Sequence, residues 1–202
     1  MNRRILKHTL AAAALLAATA LAQADPVVLL NDDFDLENGG VGRAEYSGFA
    51  NWSAANSDLL APGYFYGLCQ SAGGSTPCLD LEGSGNGSLT TLTTFDLAAD
   101  SIVTVQFDLA GDQRGRSGNQ VTASLFSTTG QTLYSEVFTL PSDADFTRFT
   151  RSIHVTDATQ ARFSFLSGGP ADSMGMLLDN VVLTAGAVAA VQGWVTGALP
   201  AF

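Results

Sequence analysis

The sequence predicts an all-β protein of the antiparallel sandwich class, and three observations carry that prediction. Several stretches alternate apolar and polar residues with the period of two that a half-buried strand requires. Gly, Asn, Asp and Pro punctuate these stretches at the short spacing of a sandwich. Gly, Ser and Thr abound, whereas long Glu/Lys/Leu segments of helical period are missing.

The first 24 residues, MNRRILKHTLAAAALLAATALAQA, carry Arg3, Arg4 and Lys7, then an Ala/Leu run, and close on Ala22-Gln23-Ala24. This is the pattern of a secretory signal peptide cut after Ala24. A membrane anchor fits less well, because the apolar run falls short of the roughly 20 residues that span a bilayer. Cleavage leaves 178 residues, enough for one domain with its own core. The mature chain sets six arginines and no lysine against 19 carboxylates, a formal charge of −13. That balance repels nucleic acid and anionic lipid, which need a positive patch. Cys69 and Cys78, exported to an oxidising compartment, read as a disulfide pinning a loop. With His154 as the single histidine of the mature chain, zinc lacks ligands.

Taken in order, Pro26 to Leu30 reads as a first strand ending in the acidic turn Asn31 to Glu37, with Asp32, Asp33, Asp35 and Glu37 in six residues. Such a cluster is either solvated or bridged by a cation. Gly48 to Leu68 concentrates Phe49, Trp52, Tyr64, Phe65 and Tyr66 among turn-forming residues. Rings in loops stack on sugars or plug the end of a sandwich, and for Trp52 the core reading is the stronger. Gly83 to Gly87 is a flexible turn before the strand Ser88 to Phe95; without a following GK[ST] or helix it is no phosphate loop.

From Ile102 the alternation is clear, with Val103, Val105, Phe107 and Leu109 on one face. This strand runs into Gly111 to Gly118, a polar loop holding Asp112, Gln113, Arg114 and Arg116. Val121, Ala123 and Leu125 mark the next strand; Leu133, Val137 and Phe138 the one after. Phe149, Ile153 and Val155 follow, with His154 on the polar face, then Ala161, Phe163 and Phe165, and last Met176 to Thr184. Nine or ten strands result, and the residues 185–202 form a weakly apolar tail without charge. The last strand, MLLDNVVL, is apolar on both faces except at Asp179 and Asn180, and a buried carboxylate there demands a partner.

Three segments, FDLAGDQRGR, PSDADFTRFTRSIHVTDATQARFSF and MLLDNVVL, resemble the body of exported bacterial proteins of the PEP-CTERM type. Those bodies are similar to galactose-binding-like jelly rolls, so the resemblance implies that fold over residues 25–184. The C-terminal sorting signal of that family, a Pro-Glu-Pro motif with an apolar span and basic cluster, has no counterpart in Ala185 to Phe202. A second likeness is to jelly-roll carbohydrate-binding modules, in which an N-terminal Asn-Gly-Asp-Phe-Glu segment and a final Asp-Asp-Val strand converge on structural calcium. Asn31 to Asp35 and Asp179 to Val181 resemble those patterns. The resemblance implies calcium held by Asp33, Asp35 and Asp179.

Three functions compete. The first is a secreted, non-catalytic module binding extracellular polysaccharide through Trp52, Tyr64 and Tyr66 as stacking rings and Asp112, Gln113, Arg114 and Arg116 as hydrogen-bonding groups. The second is a structural or adhesive matrix protein without a sugar pocket. Catalysis ranks below both: Asp108 and Asp112 are paired carboxylates without a marked acid, and His154 has no nucleophile elbow to serve. The expected location is the periplasm or the outer surface of a bacterium.

Overall fold

The computed structural model describes residues 25–74 and 77–188. The signal peptide read over residues 1–24, and the tail beyond Val188, lie outside them. Two antiparallel sheets face each other. One has the order β10-β7-β12-β4-β3 with β1 paired to β12; the other has the order β2-β5-β11-β8-β9 with β6 paired to β11. The strands are β1 (Val27–Asp32), β2 (Trp52–Ala55), β3 (Asp58–Leu60), β4 (Cys78–Asp80), β5 (Ser88–Thr91), β6 (Phe95–Leu97), β7 (Ser101–Ala110), β8 (Gln120–Ser127), β9 (Thr132–Phe138), β10 (Thr147–Val155), β11 (Thr159–Gly168) and β12 (Leu177–Ala187). The last strand thus runs on past Thr184, still paired with β7 as far as Ala187.

The alternating residues do what their period requires. Val103, Val105, Phe107 and Leu109 of β7 meet Val121, Ala123 and Leu125 of β8 and Phe163 and Phe165 of β11 in one core between the sheets. Val137 departs from the pattern: it is exposed while Phe138 is buried, because only alternate residues of β9 face inward. At the open edge, Arg151 of β10 pairs with Glu136 of β9 through contacts of 2.7 and 2.6 Å. Its guanidinium also lies over the rings of Phe138 and Phe149. One side chain therefore ties the two sheets together where backbone pairing ends.

Trp52, expected among the sugar-stacking rings, is 1% exposed and packs in this core against Phe34 and Phe165. Its indole Nε1 donates to Asp32 Oδ2 at 2.8 Å, and Asn51 Nδ2 donates to the same oxygen at 3.0 Å. Asp32 Oδ1 accepts the Phe34 backbone N–H. Burying a large ring with a polar tip requires an acceptor inside, which the first strand supplies. The acidic turn is thus partly a cradle for the tryptophan, and Glu37 joins it by accepting the Ala50 N–H at 2.9 Å.

A second, smaller core lies on the outer face of the first sheet. The short helix α1 (Gly67–Ser71) brings Leu68, Cys69 and Ala72 over Leu60, Cys78, Ala110 and Leu177. This explains the unbroken apolar run at the start of β12: Leu178 faces the main core while Leu177 faces the second one. The expected disulfide forms between Cys69 and Cys78, stapling α1 to β4.

Candidate functional site

Beside the second core, on the same outer face, opens a cleft of about 550 Å³. Its size is that of a small-ligand site. The walls include Asp58 of β3, Asp80 of β4, Glu45, Tyr64, Phe65 and Arg114. Asp58 and Asp80 are direct cross-strand partners, and both are buried. Like charges set opposite each other destabilise a sheet unless neutralised.

Arg114 supplies the neutralisation. Reaching over from the β7–β8 loop, its Nη2 contacts Asp80 Oδ2 at 2.6 Å. The guanidinium is further fixed by donation from Nη1 to the Ser173 carbonyl and from Nε to the Asp112 carbonyl. Asp80 Oδ1 accepts the backbone N–H groups of Glu82 and Gly175 at 2.9 and 3.0 Å. A side chain on residue 175 would place its Cβ 2.7 Å from that oxygen, so glycine is what lets the backbone come close enough to donate. Burial nevertheless outweighs these contacts, and Asp80 is pushed up to about 7. Asp58 is raised in the same direction by burial, partly offset by the Glu45 N–H and the Tyr64 hydroxyl that donate to it at 2.8 and 3.2 Å.

The aromatic wall is a turn, not a strand. Tyr64 and Phe65 stand edge to face at 4.8 Å, and both residues bridge to Ala61. Phe65 has a φ of 43°, a left-handed conformation that a bulky residue adopts at a cost, and its ring is 65% exposed. An apolar ring thus lines the cleft while remaining largely in solvent.

The cleft collects only part of the residues singled out in the sequence. Tyr64 and Arg114 line it. Tyr66 instead packs against the second core at the start of α1. Asp112, expected to bind ligand, is 1% exposed and spends its oxygens on the chain itself: Oδ1 accepts the Arg114 N–H and the Ser142 hydroxyl, and Oδ2 accepts Asn119 Nδ2. Gln113 likewise donates to the Gly111 and Ala144 carbonyls. Both hold the arginine loop in shape. Arg116 is half exposed and reaches Met174 Sδ and Asp172. Phe65, one of the rings of the aromatic stretch, also lines the cleft, as do Asp58, Asp80 and Glu45, which sequence reasoning did not single out. The signal was available for one of them: Asp80 in CLDLE interrupts an apolar run just as Asp179 does.

Asp33 and Asp35 follow β1, whose Asp32 pairs with Val181 of β12, the strand that carries Asp179. Among the described residues no group of three or more His, Cys, Asp or Glu side chains is arranged to hold a metal ion. Asp33 accepts the Asp35 N–H in a local turn. Asp179 is buried on the outer face of β12, opposite Asp108 of β7. Asp108 in turn takes a two-pronged contact from Arg148 of β10, at 2.8 and 2.9 Å, and the Asn180 side-chain amide at 3.1 Å. The motifs FDLAG, FTRF and LLDN therefore meet on three adjacent strands, β7, β10 and β12.

Because the disulfide joins α1 to β4 two residues before Asp80, it also steadies the turn that carries Tyr64 and Phe65. Replacing Cys69 and Cys78 together by Ser is expected to lower stability by about 2–3 kcal/mol, the loop-closure entropy of a short loop. Urea denaturation of the double variant checks this; a loss below about 0.5 kcal/mol would show that the second core alone fixes the loop.

No family model and no curated protein sequence matches the chain. Solved structures with similar folds exist. An arabinose-bound α-L-arabinofuranosidase, MgGH51, is 13% identical with a TM-score of 0.48; the alignment covers 67% of this chain and 23% of that one. The K3 adhesin domain of Lys-gingipain from Porphyromonas gingivalis is 19% identical with a TM-score of 0.45, covering 78% and 99%. The C-terminal family 6 carbohydrate-binding module of LamC, a marine laminarinase from Zobellia galactanivorans, is 11% identical with a TM-score of 0.43, covering 67% and 93%. The chain is an all-β, two-sheet antiparallel sandwich.

Proposed function

We propose that this protein is a secreted, non-catalytic glycan-binding module that engages extracellular polysaccharide in the cleft between Phe65 and the Asp58–Asp80–Arg114 group. The observation that carries the reading is the pairing of an exposed ring with convergent polar groups. Phe65 offers an apolar face for the C–H side of a sugar ring, and the Tyr64 hydroxyl, Arg114 and the carboxylates offer hydrogen bonds to its hydroxyls. Secretion accords with the disulfide, with the signal-peptide pattern and with the resemblance to exported PEP-CTERM-type proteins.

Catalysis fits the cleft poorly. Glycoside hydrolysis needs one carboxylic acid and one carboxylate free to act across a bond. Asp80 instead has both oxygens occupied by Arg114, Glu82 and Gly175.

The test is a glycan panel titrated against the mature chain and its Phe65→Ala variant. Saturable binding is expected, weakened at least about tenfold in the variant, as the loss of one stacking ring predicts. The melting temperature should hold, because the ring lies in solvent. Flat curves against the whole panel would overturn the reading in favour of a structural or adhesive role.

A further inference from the structure

The cleft contains more negative charge than its one cation neutralises. Three carboxyl groups line it, Asp58, Asp80 and Glu45, and with Asp80, pushed up to about 7, largely protonated at pH 6, two remain against the single guanidinium of Arg114. That guanidinium already donates from Nη2 to Asp80, from Nη1 to the Ser173 carbonyl and from Nε to the Asp112 carbonyl. Asp58, 8% exposed, is held by a backbone N–H and a tyrosine hydroxyl, both neutral donors. Glu45 stands exposed at the rim. Among the described residues Arg114 acts on Asp58 only at a distance, so a cation entering the cleft would supply a counter-charge in contact with it.

We infer that the glycan taken by this cleft carries a protonated amine, as an amino sugar with a free ammonium group does. The inference rests on the glycan-binding reading and names the class of sugar. An ammonium group brings three donors and no acceptor, which matches the carboxylate oxygens of Asp58 and Glu45 in the wall. Phe65 adds a ring face that attracts cations as well as sugar C–H groups. A uronate would face Asp58 and Glu45 as like charges, and an N-acetylated sugar would bring no charge to Asp58. The acidity of the whole chain works in the same direction by drawing a cationic polymer toward it.

Calorimetric titration of the full mature chain at pH 6 with three hexamers tests this: glucosamine, N-acetylglucosamine and galacturonic acid. The glucosamine hexamer is expected to bind at least about tenfold more tightly than the other two. Asp58→Asn and, independently, Glu45→Gln should each shrink that preference severalfold; Glu45 is exposed, so its variant reports even where Asp58→Asn misfolds. Asp157→Asn, an exposed carboxylate in the β10–β11 turn, should leave the preference unchanged. Equal weakening by Asp157→Asn would mean attraction by overall charge and would overturn the inference. Tighter binding of either other hexamer would overturn it too, while leaving glycan binding intact. No binding by any of the three, in a chain that binds other glycans, would overturn the amine preference alone; no binding across a broad panel would overturn both.

Discussion

Replacing Trp52 with alanine is expected to lower the stability of the fold by about 3–5 kcal/mol, the range for removing a large aromatic side chain from a packed interior. The ring is 1% exposed, wedged between Phe34 and Phe165, and the sandwich cannot collapse onto the space it leaves because both sheets are held by their own ladders. The substitution also takes the indole donor away from Asp32 Oδ2, which keeps only Asn51 among its side-chain donors. A Trp52→Phe variant separates the two effects. It retains much of the volume and loses the hydrogen bond, so a cost of about 1–3 kcal/mol is expected. Urea denaturation of both variants reads these values. A small loss of stability in Trp52→Ala combined with lost glycan binding would place the tryptophan at a surface site instead.

Removing the guanidinium in Arg114→Ala is expected to cost about 3–5 kcal/mol near pH 8, because it leaves Asp80 buried opposite Asp58 without its cation. The effect should depend on pH, and its sign follows from linkage. Burial raises the folded-state pKa of Asp80 from 3.8 to about 7, so between those values the folded protein binds more protons at this site than the unfolded chain. The stability this contributes is fully present below the unfolded value and is lost as the pH rises through about 7. Asp35, Glu37, Asp58 and Glu82 are raised by burial in the same direction. The wild-type protein should therefore melt at a higher temperature at pH 5.5 than at pH 8. Arg114 lowers the Asp80 pKa, so its loss should widen that difference, whereas Asp80→Asn should narrow it. Thermal melts of the three proteins at both pH values decide the matter. Equal losses for Arg114→Ala at pH 5.5 and pH 8 would show that the arginine acts by packing rather than by charge.

The two variants touch different layers of the molecule. Trp52 belongs to the core that any sandwich of this length must build, and Arg114 to an outer face that a plain sandwich leaves to solvent. That face is occupied here because α1 and its disulfide build a second apolar cluster on it, and the cleft opens at the border of that cluster. Phe65 and Tyr64 belong to the turn that leads into α1, so the proposed ligand site is an elaboration laid on the sheet rather than a gap within it.

By itself the sequence determined the sandwich, most of its strands and their buried faces, because a period of two in apolar residues is a local property that survives any arrangement of the sheets. It determined the disulfide too, with only two cysteines to pair. Partners across strands were beyond it, since a carboxylate in an apolar run states a need without an address. Asp179 was matched in sequence with Asp33 and Asp35, and β1 does pair with β12, while on its other side β12 sets Asp179 opposite Asp108 of β7, a neighbour the sequence did not indicate. The arginine loop showed the same limit: Asp112 and Arg114 look alike as polar loop residues, and only the fold turns one inward to hold the loop and sends the other to Asp80. Which of the aromatic residues faces solvent was likewise decided by tertiary structure. Trp52 starts a strand whose inner face meets the other sheet, whereas Phe65 sits in a turn that has no inner face.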